Sequence, residues 1–139
     1  MDERREMIHQ FEDNIRFLIK NFQRDLGEIF KNEITFHEFL FLKHLGDGKP
    51  QMVSSLSKKM KVTASYATAV VDKLLQKGYI NRERSSKDRR IVELTITEQG
   101  IELIKKMDEK KTDYMSEQLE SISDSELEIL NLLLNKIGK

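Results

Sequence analysis

The chain has 139 residues with 38% hydrophobic side chains, which fits a single domain, 1–139, around one compact core. It contains no Cys and no Trp, so disulfides, cysteine-zinc sites and thiol sensing are excluded. The net charge of zero is uneven: residues 1–50 carry eight basic and ten acidic side chains, residues 51–100 ten and five, and residues 101–139 six and nine, so a basic middle points to a surface that meets a polyanion.

The chain opens on Met1-Asp2-Glu3-Arg4-Arg5, which is charged and predicts no signal peptide. The longest apolar runs, such as Phe39 to Leu42, are only about four residues, so no membrane span is expected and a cytoplasmic location follows as the default. Apolar residues at Ile8, Phe11, Ile15, Leu18, Phe22, Leu26 and Ile29 recur at steps of three and four. They predict a helix over residues 4–30 with a heptad-like seam.

Thr35-Phe36-His37-Glu38 reads as a capping box, with Ile34 and Phe39 as its hydrophobic staple. The short helix behind it, through Phe36, Phe39, Leu40, Phe41, Leu42 and Leu45, is apolar on most sides and is expected to be buried. Gly46-Asp47-Gly48 and Pro50 end it. Met52, Val53, Leu56 and Met60 give another short helix, Lys61-Val62 a tight link, and Thr63 a cap for the next one. That helix places Ala67, Val70, Val71 and Leu74 on one face and stops at Gly78. The two form a helix-turn-helix.

The period then changes. Tyr79 to Arg84 and Ile91 to Ile96 are β-compatible, with Val92, Leu94 and Ile96 on one face and the basic stretch Ser85 to Arg90 between the strands. Thr97 caps a helix that runs with Ile101, Ile104, Met107, Tyr114, Met115, Leu119 and Ile122. Ser123 to Glu126 is a second capping box, stapled by Ile122 and Leu127, and Leu127, Leu130, Leu134 and Ile137 seam the last helix. The expected fold is mainly α with a small β-hairpin wing. A winged helix-turn-helix over 35–100 is flanked by dimerisation helices over 1–34 and 101–139.

The outward face of the helix that starts at Ala64 holds Ser65, Ala69, Asp72, Lys73 and Gln76, with Tyr66 and Thr68 beside them. Small residues let a helix enter the major groove closely, and Ser, Thr and Tyr reach base edges or phosphates. Asp72 counts against DNA on charge. The hairpin tip is arginine-rich, as minor-groove contacts require, and Asp88 stands two residues before Arg90, where it can hydrogen-bond and aim it. The expected DNA-binding residues are Thr63, Ala64, Ser65, Tyr66, Thr68, Ala69, Lys73, Arg82, Arg84, Ser85, Ser86, Lys87, Asp88, Arg89 and Arg90. The expected dimerisation residues are Ile8, Phe11, Ile15, Leu119, Ile122, Leu127, Leu130, Leu134 and Ile137, whose seams have no other evident cover.

His37 and His44 lie seven residues apart on one side of a helix, about 10 Å along its axis, too far to chelate one ion together. No metal site, no cofactor and no catalytic constellation is expected, so an enzyme is disfavoured.

Leu56-Ser57-Lys58-Lys59-Met60-Lys61-Val62-Thr63, then Val70 to Ile80, then Asp88-Arg89-Arg90, then Leu94-Thr95-Ile96-Thr97-Glu98-Gln99-Gly100 resemble the MarR family of bacterial transcriptional regulators. The match in order and spacing runs from Thr35 to Ile104. The wing Asp-Arg-Arg followed by Thr-Glu-x-Gly is its most specific part. The resemblance implies a homodimer on palindromic double-stranded DNA, usually a repressor, released by a small hydrophobic or phenolic ligand. An apolar cleft between Phe36–Leu45, the first helix and the winged part is the expected place for that ligand. Where the family often carries Arg or Gln on its base-contacting helix, Ala64, Ser65, Tyr66, Thr68 and Ala69 stand here, which favours backbone and shape readout. The alternative reading is a winged-helix protein-interaction module without DNA binding. Five basic residues from Arg82 to Arg90 favour DNA.

Overall fold

The structure, a computed structural model, describes residues 2–31 and 33–138. Six helices and one hairpin follow in the order α1 (Asp2–Phe30), α2 (Phe36–His44), α3 (Val53–Met60), α4 (Ala64–Gln76), β1 (Ile80–Arg84), β2 (Val92–Ile96), α5 (Glu98–Gln118) and α6 (Asp124–Lys136) among the described residues. The contacts form two compact units, Met1–Met107 and Asp108–Lys139.

The first unit is built around α2. Its capping box forms as read: the Glu38 N–H donates to Thr35 Oγ1 and the Thr35 N–H donates to Glu38 Oε1, each at 3.0 Å. Phe39, Phe41 and Leu42 are completely buried, and Phe39 meets Phe30 of α1 edge-on at 5.1 Å between centroids. Each such side chain contributes roughly 1.5–3 kcal/mol by leaving water. Of the 29 residues of α1, only Leu26 and Phe30 are buried; Ile8, Phe11 and Leu18 of its seam are exposed and Ile15 is half-buried.

The link between α3 and α4 turns on Lys61, whose backbone is left-handed (φ 55°). Thr63 Oγ1 then caps α4 by accepting the Tyr66 N–H. The far end of α4 closes by two crossed bonds, Tyr79 N–H to the Leu74 carbonyl and Gly78 N–H to the Leu75 carbonyl, both 3.1 Å. Gly78 takes φ 82° in that closure, a conformation that glycine tolerates best. The chain leaves directly into β1, which pairs antiparallel with β2 from Ile80↔Ile96 to Arg84↔Val92.

The start of α5 explains the Thr-Glu-x-Gly pattern. Thr97 Oγ1 donates to the Gly78 carbonyl (2.8 Å) and accepts the Gly100 N–H (3.1 Å). A Cβ on Gly100 would stand 2.4 Å from the Tyr79 carbonyl oxygen, so the helix can approach the strand only as glycine. This clamp also sets the helix phase. Gly100, Leu103 and Met107 face inward, whereas Ile101 is exposed and Ile104 half-buried, so the expected apolar line was one residue out of phase at its start. On β2 only Leu94 is fully buried, with Val92 and Ile96 half-buried.

The second unit holds the end of α5 and all of α6. The helix expected to run through Ile122 stops at Gln118, and residues 119–122 turn. Ser123 caps α6 by the second box: the Glu126 N–H donates to Ser123 Oγ (3.2 Å) and the Ser123 N–H to Glu126 Oε1 (3.0 Å). No residue of α6 is buried, and Ile129, Leu132 and Leu133 are largely exposed.

Candidate nucleic-acid interface

Two surfaces of the first unit carry the residues expected to meet DNA. On α4, Ala67, Val70, Val71 and Leu74 go into the core, which turns Ala64, Ser65, Thr68, Ala69, Asp72 and Lys73 outward. The outward side of the first two turns is therefore small or hydroxylic, and backbone can come close to a groove there. Thr63 spends its side-chain oxygen on the cap. Tyr66, 41% exposed, leans toward α2, and its hydroxyl lies 2.5 Å from His37 Nδ1.

The wing is a braced loop. Ser85 N–H donates to the Ile91 carbonyl (2.8 Å), and Ile91 N–H to the Asp88 carbonyl (3.0 Å). Ser85 Oγ accepts the Lys87 N–H (3.2 Å) and lies 3.4 Å from the Asp88 N–H. Arg84 Nη1 donates to the Arg89 carbonyl (2.9 Å), so this arginine holds the loop from below. At the tip, Asp88 takes three bonds from Arg90, all 3.1 Å: the backbone N–H and Nε on Oδ1, and Nη2 on Oδ2. The Arg90 side chain is 90% exposed despite that fork. It is aimed without being covered. The Arg90 guanidinium, then its backbone N–H, hold the Asp88 carboxyl below the usual aspartate value. Arg82, Ser86, Lys87 and Arg89 are exposed around the fork, and Ser85 is half-buried.

Two positioning links escaped the sequence reading. Gln51, just after Pro50, pairs with Leu94 across the outer side of β2, N–H to carbonyl in both directions at 3.0 and 2.7 Å. Its side chain accepts from Lys59 Nζ (2.6 Å) and donates to the His44 carbonyl (2.5 Å). One residue thus ties α2, α3 and the hairpin together. The other link joins Glu38, a buried carboxylate, to Lys77 Nζ at the end of α4 (2.9 Å). Burial pushes the Glu38 carboxyl up, but the Thr35 N–H and Lys77, with Lys73 behind, outweigh it and leave the group below its ordinary value. Neither partner pair shows a local spacing that would reveal it.

Among the described residues, no three His, Cys, Asp or Glu side chains gather as a metal site would need.

A sequence profile of the MarR family matches residues 34–92. An uncharacterized helix-turn-helix-type transcriptional regulator of Bacillus subtilis, YpoP, is 34% identical over all of this chain and 99% of its own length. A MarR family protein from Bacillus stearothermophilus, of solved structure, is 30% identical; the match covers 99% of this chain and 95% of that one, with a TM-score of 0.81. FabT of Streptococcus pneumoniae, solved in complex with DNA, shares the fold at 21% identity, with a TM-score of 0.82 over 94% of both chains.

Proposed function

The chain belongs to the MarR family of helix-turn-helix transcriptional regulators, which are not enzymes, and from that premise we propose that it acts as a homodimeric repressor on a palindromic operator. The observation that carries this reading is the wing tip: an arginine almost wholly exposed, yet held at three points by one aspartate. Such a fork restricts the rotamers of Arg90 before DNA arrives, so less ordering entropy is lost on entering a minor groove. Residues 35–100 are the DNA-binding part. Residues 1–34 and 101–139 are the dimerisation part, because Ile8, Phe11, Leu130, Leu134 and Ile137 are exposed in the single chain. Ile15, Leu119, Ile122 and Leu127 belong to the same faces and are half-buried. A cytoplasmic location is part of the reading; no helix among the described residues is long and apolar enough to cross a membrane.

An effector has a candidate place. Ile19, Phe22, Gln23, Leu26 and Gly27 of α1 and Phe36 of α2 line an open groove of about 390 Å³, within the size range of small-ligand sites. A salicylate-like hydrophobic anion that lowers DNA affinity or raises the melting temperature supports gating there; no effect on either removes it.

Anisotropy on the protein's own upstream DNA across a salt series tests the DNA reading. Arg90→Ala weakens binding about tenfold or more, at roughly 1–3 kcal/mol per good specific contact. Asp88→Ala weakens it less, because the charge on Arg90 stays and only its aim is lost. Lys87→Ala lowers the slope of log affinity against log salt by about one to two units for two subunits. Equal affinity of Arg90→Ala and wild type at every salt concentration would instead favour a winged-helix module that binds protein.

A further inference from the structure

The outward side of α4 carries no arginine, asparagine or glutamine over its first two turns, so its longest polar side chain there is Tyr66. That phenol is not free to rotate. Its oxygen lies 2.5 Å from His37 Nδ1, and the bond is at the surface. Its ring is wedged at 5.4 Å from the imidazole and 6.3 Å from the fully buried Phe41, and the imidazole itself meets Phe41 edge-on at 6.1 Å. Two aromatic contacts and one short hydrogen bond therefore hold a tyrosine at the first turn of the helix that enters the groove. A residue kept only for packing needs the ring and not the bond.

The chemistry of the pair gives the bond a direction. A phenol is a better donor than an imidazole N–H, and an imidazole nitrogen a better acceptor than a phenol oxygen. With the His37 proton on Nε2, the tautomer assigned on that ground, Tyr66 donates to Nδ1. Its only hydrogen is used, and its oxygen is left as an acceptor. An acceptor is repelled by phosphate and by the oxygen and N7 edges of bases. It is satisfied in the major groove by the exocyclic amine of adenine or cytosine.

We propose that Tyr66 reads a base amine in the major groove and that His37 is the positioning residue that makes its oxygen an acceptor. This rests on the DNA-binding reading above and adds α2 to the residues that set specificity.

The test uses the full chain and a duplex library with a randomised centre, from which wild-type protein selects its preferred site. At each adenine or cytosine of that site the amine is then removed, with purine or 2-pyrimidinone in its place. At one position, amine removal costs wild type about tenfold in affinity. Tyr66→Phe and His37→Phe each abolish that penalty at the same position, and the double variant behaves as either single one. His37→Asn, which keeps a hydrogen-bonding atom near the place of Nδ1, restores the penalty. Arg90→Ala weakens binding to every duplex and leaves the penalty in place. If amine removal costs wild type and Tyr66→Phe equally at every position, the proposal is overturned, even where the melting temperature of the variants falls. It is overturned as well if the two single variants affect different positions. A wild type that selects no sequence defeats the DNA reading itself, whereas a normal Arg90→Ala response with unchanged amine penalties defeats only the role of this pair.

Discussion

α2 and α6 begin alike and end in opposite environments. Each opens on a Ser or Thr whose oxygen accepts the N–H of a glutamate three residues on, and each is rich in Leu, Ile or Phe. α2 has Phe39, Phe41 and Leu42 sealed from water, while α6 has no buried residue at all. A cap tells where a helix starts, and apolar content tells that it must be covered. Neither tells what covers it. α2 finds its cover in its own chain, in Phe30 of α1 and the core side chains of α4. For α6 the homodimer reading supplies a second copy, and then its leucines belong to a core that one chain cannot complete.

The largest effect should come from breaking that second core. Leu130→Asp with Leu134→Asp puts two carboxylates on the seam of α6 in place of two leucines that are already exposed in the single chain. A surface without a partner would tolerate this within about 0.5 kcal/mol. A dimer interface would not, and sedimentation should show monomer or unfolded chain. A folded species of unchanged mass would end the homodimer reading.

The matching break in the first unit is Leu42→Ala. This side chain is fully buried in α2, so its loss should cost about 2–5 kcal/mol in a denaturant melt. The two changes differ in kind. Leu42→Ala should lower the melting temperature without changing how that temperature depends on protein concentration. The homodimer reading gives wild type a melting temperature that rises with protein concentration, and the double aspartate should abolish that dependence.

What could be read in advance divides by sequence distance. Both capping boxes and the Asp88–Arg90 fork join residues two or three apart, and all three form as expected. His37 and Tyr66 are 29 residues apart and Glu38 and Lys77 are 39 apart, so no local pattern marks them. The phase of α5 failed for a related reason. Ile101, Ile104 and Met107 recur at steps of three, whereas Gly100 has no side chain by which an apolar pattern could register it. The helix is instead rotated by Gly100, whose lack of a side chain lets it lie against Tyr79. The buried and outward sides of α4 fall where the pattern puts them, because Ala67, Val70, Val71 and Leu74 form one unbroken stripe.

Gly100→Ala tests that account of phase. Its Cβ would meet the Tyr79 carbonyl oxygen at 2.4 Å and Ile96 Cγ1 at 2.7 Å, and the first is backbone that cannot swing away. The strain should cost about 1–3 kcal/mol. Gly48→Ala is the useful contrast within the same unit: its left-handed φ of 79° disfavours any side chain, but no atom stands within 4 Å of the added Cβ. It should cost less, about 1 kcal/mol. Equal losses at the two positions would mean that close approach does not set the α5 phase.

The smallest effects come from the two glutamates of the capping boxes, and they sharpen the contrast between α2 and α6. Glutamine can serve as the third residue of such a box, so Glu126→Gln keeps the bond to the Ser123 N–H and should leave stability nearly unchanged. Glu38→Gln keeps the corresponding bond to Thr35, but it removes the charge that Lys77 faces. Lys77 is 38% exposed and recovers part of its hydration, so the loss should be modest, about 0.5–1 kcal/mol. Both carboxyls are held below the ordinary glutamate value, Glu126 by the Ser123 backbone N–H and then the Ser123 side chain, and only Glu38 also faces lysines. Burial opposes ionisation of Glu38, but Thr35, Lys77 and Lys73 prevail and hold its folded pKa below the ordinary glutamate value. The ionised carboxylate therefore stabilises the fold above that ordinary value. As pH falls below it, the unfolded chain takes up the proton first, and the contribution fades until the folded group is protonated too. Melts from about pH 7 down to pH 3 should show the Glu38→Gln and wild-type curves converging toward acid. If the gap between them stays constant with pH, Glu38 acts through packing and not through its charge.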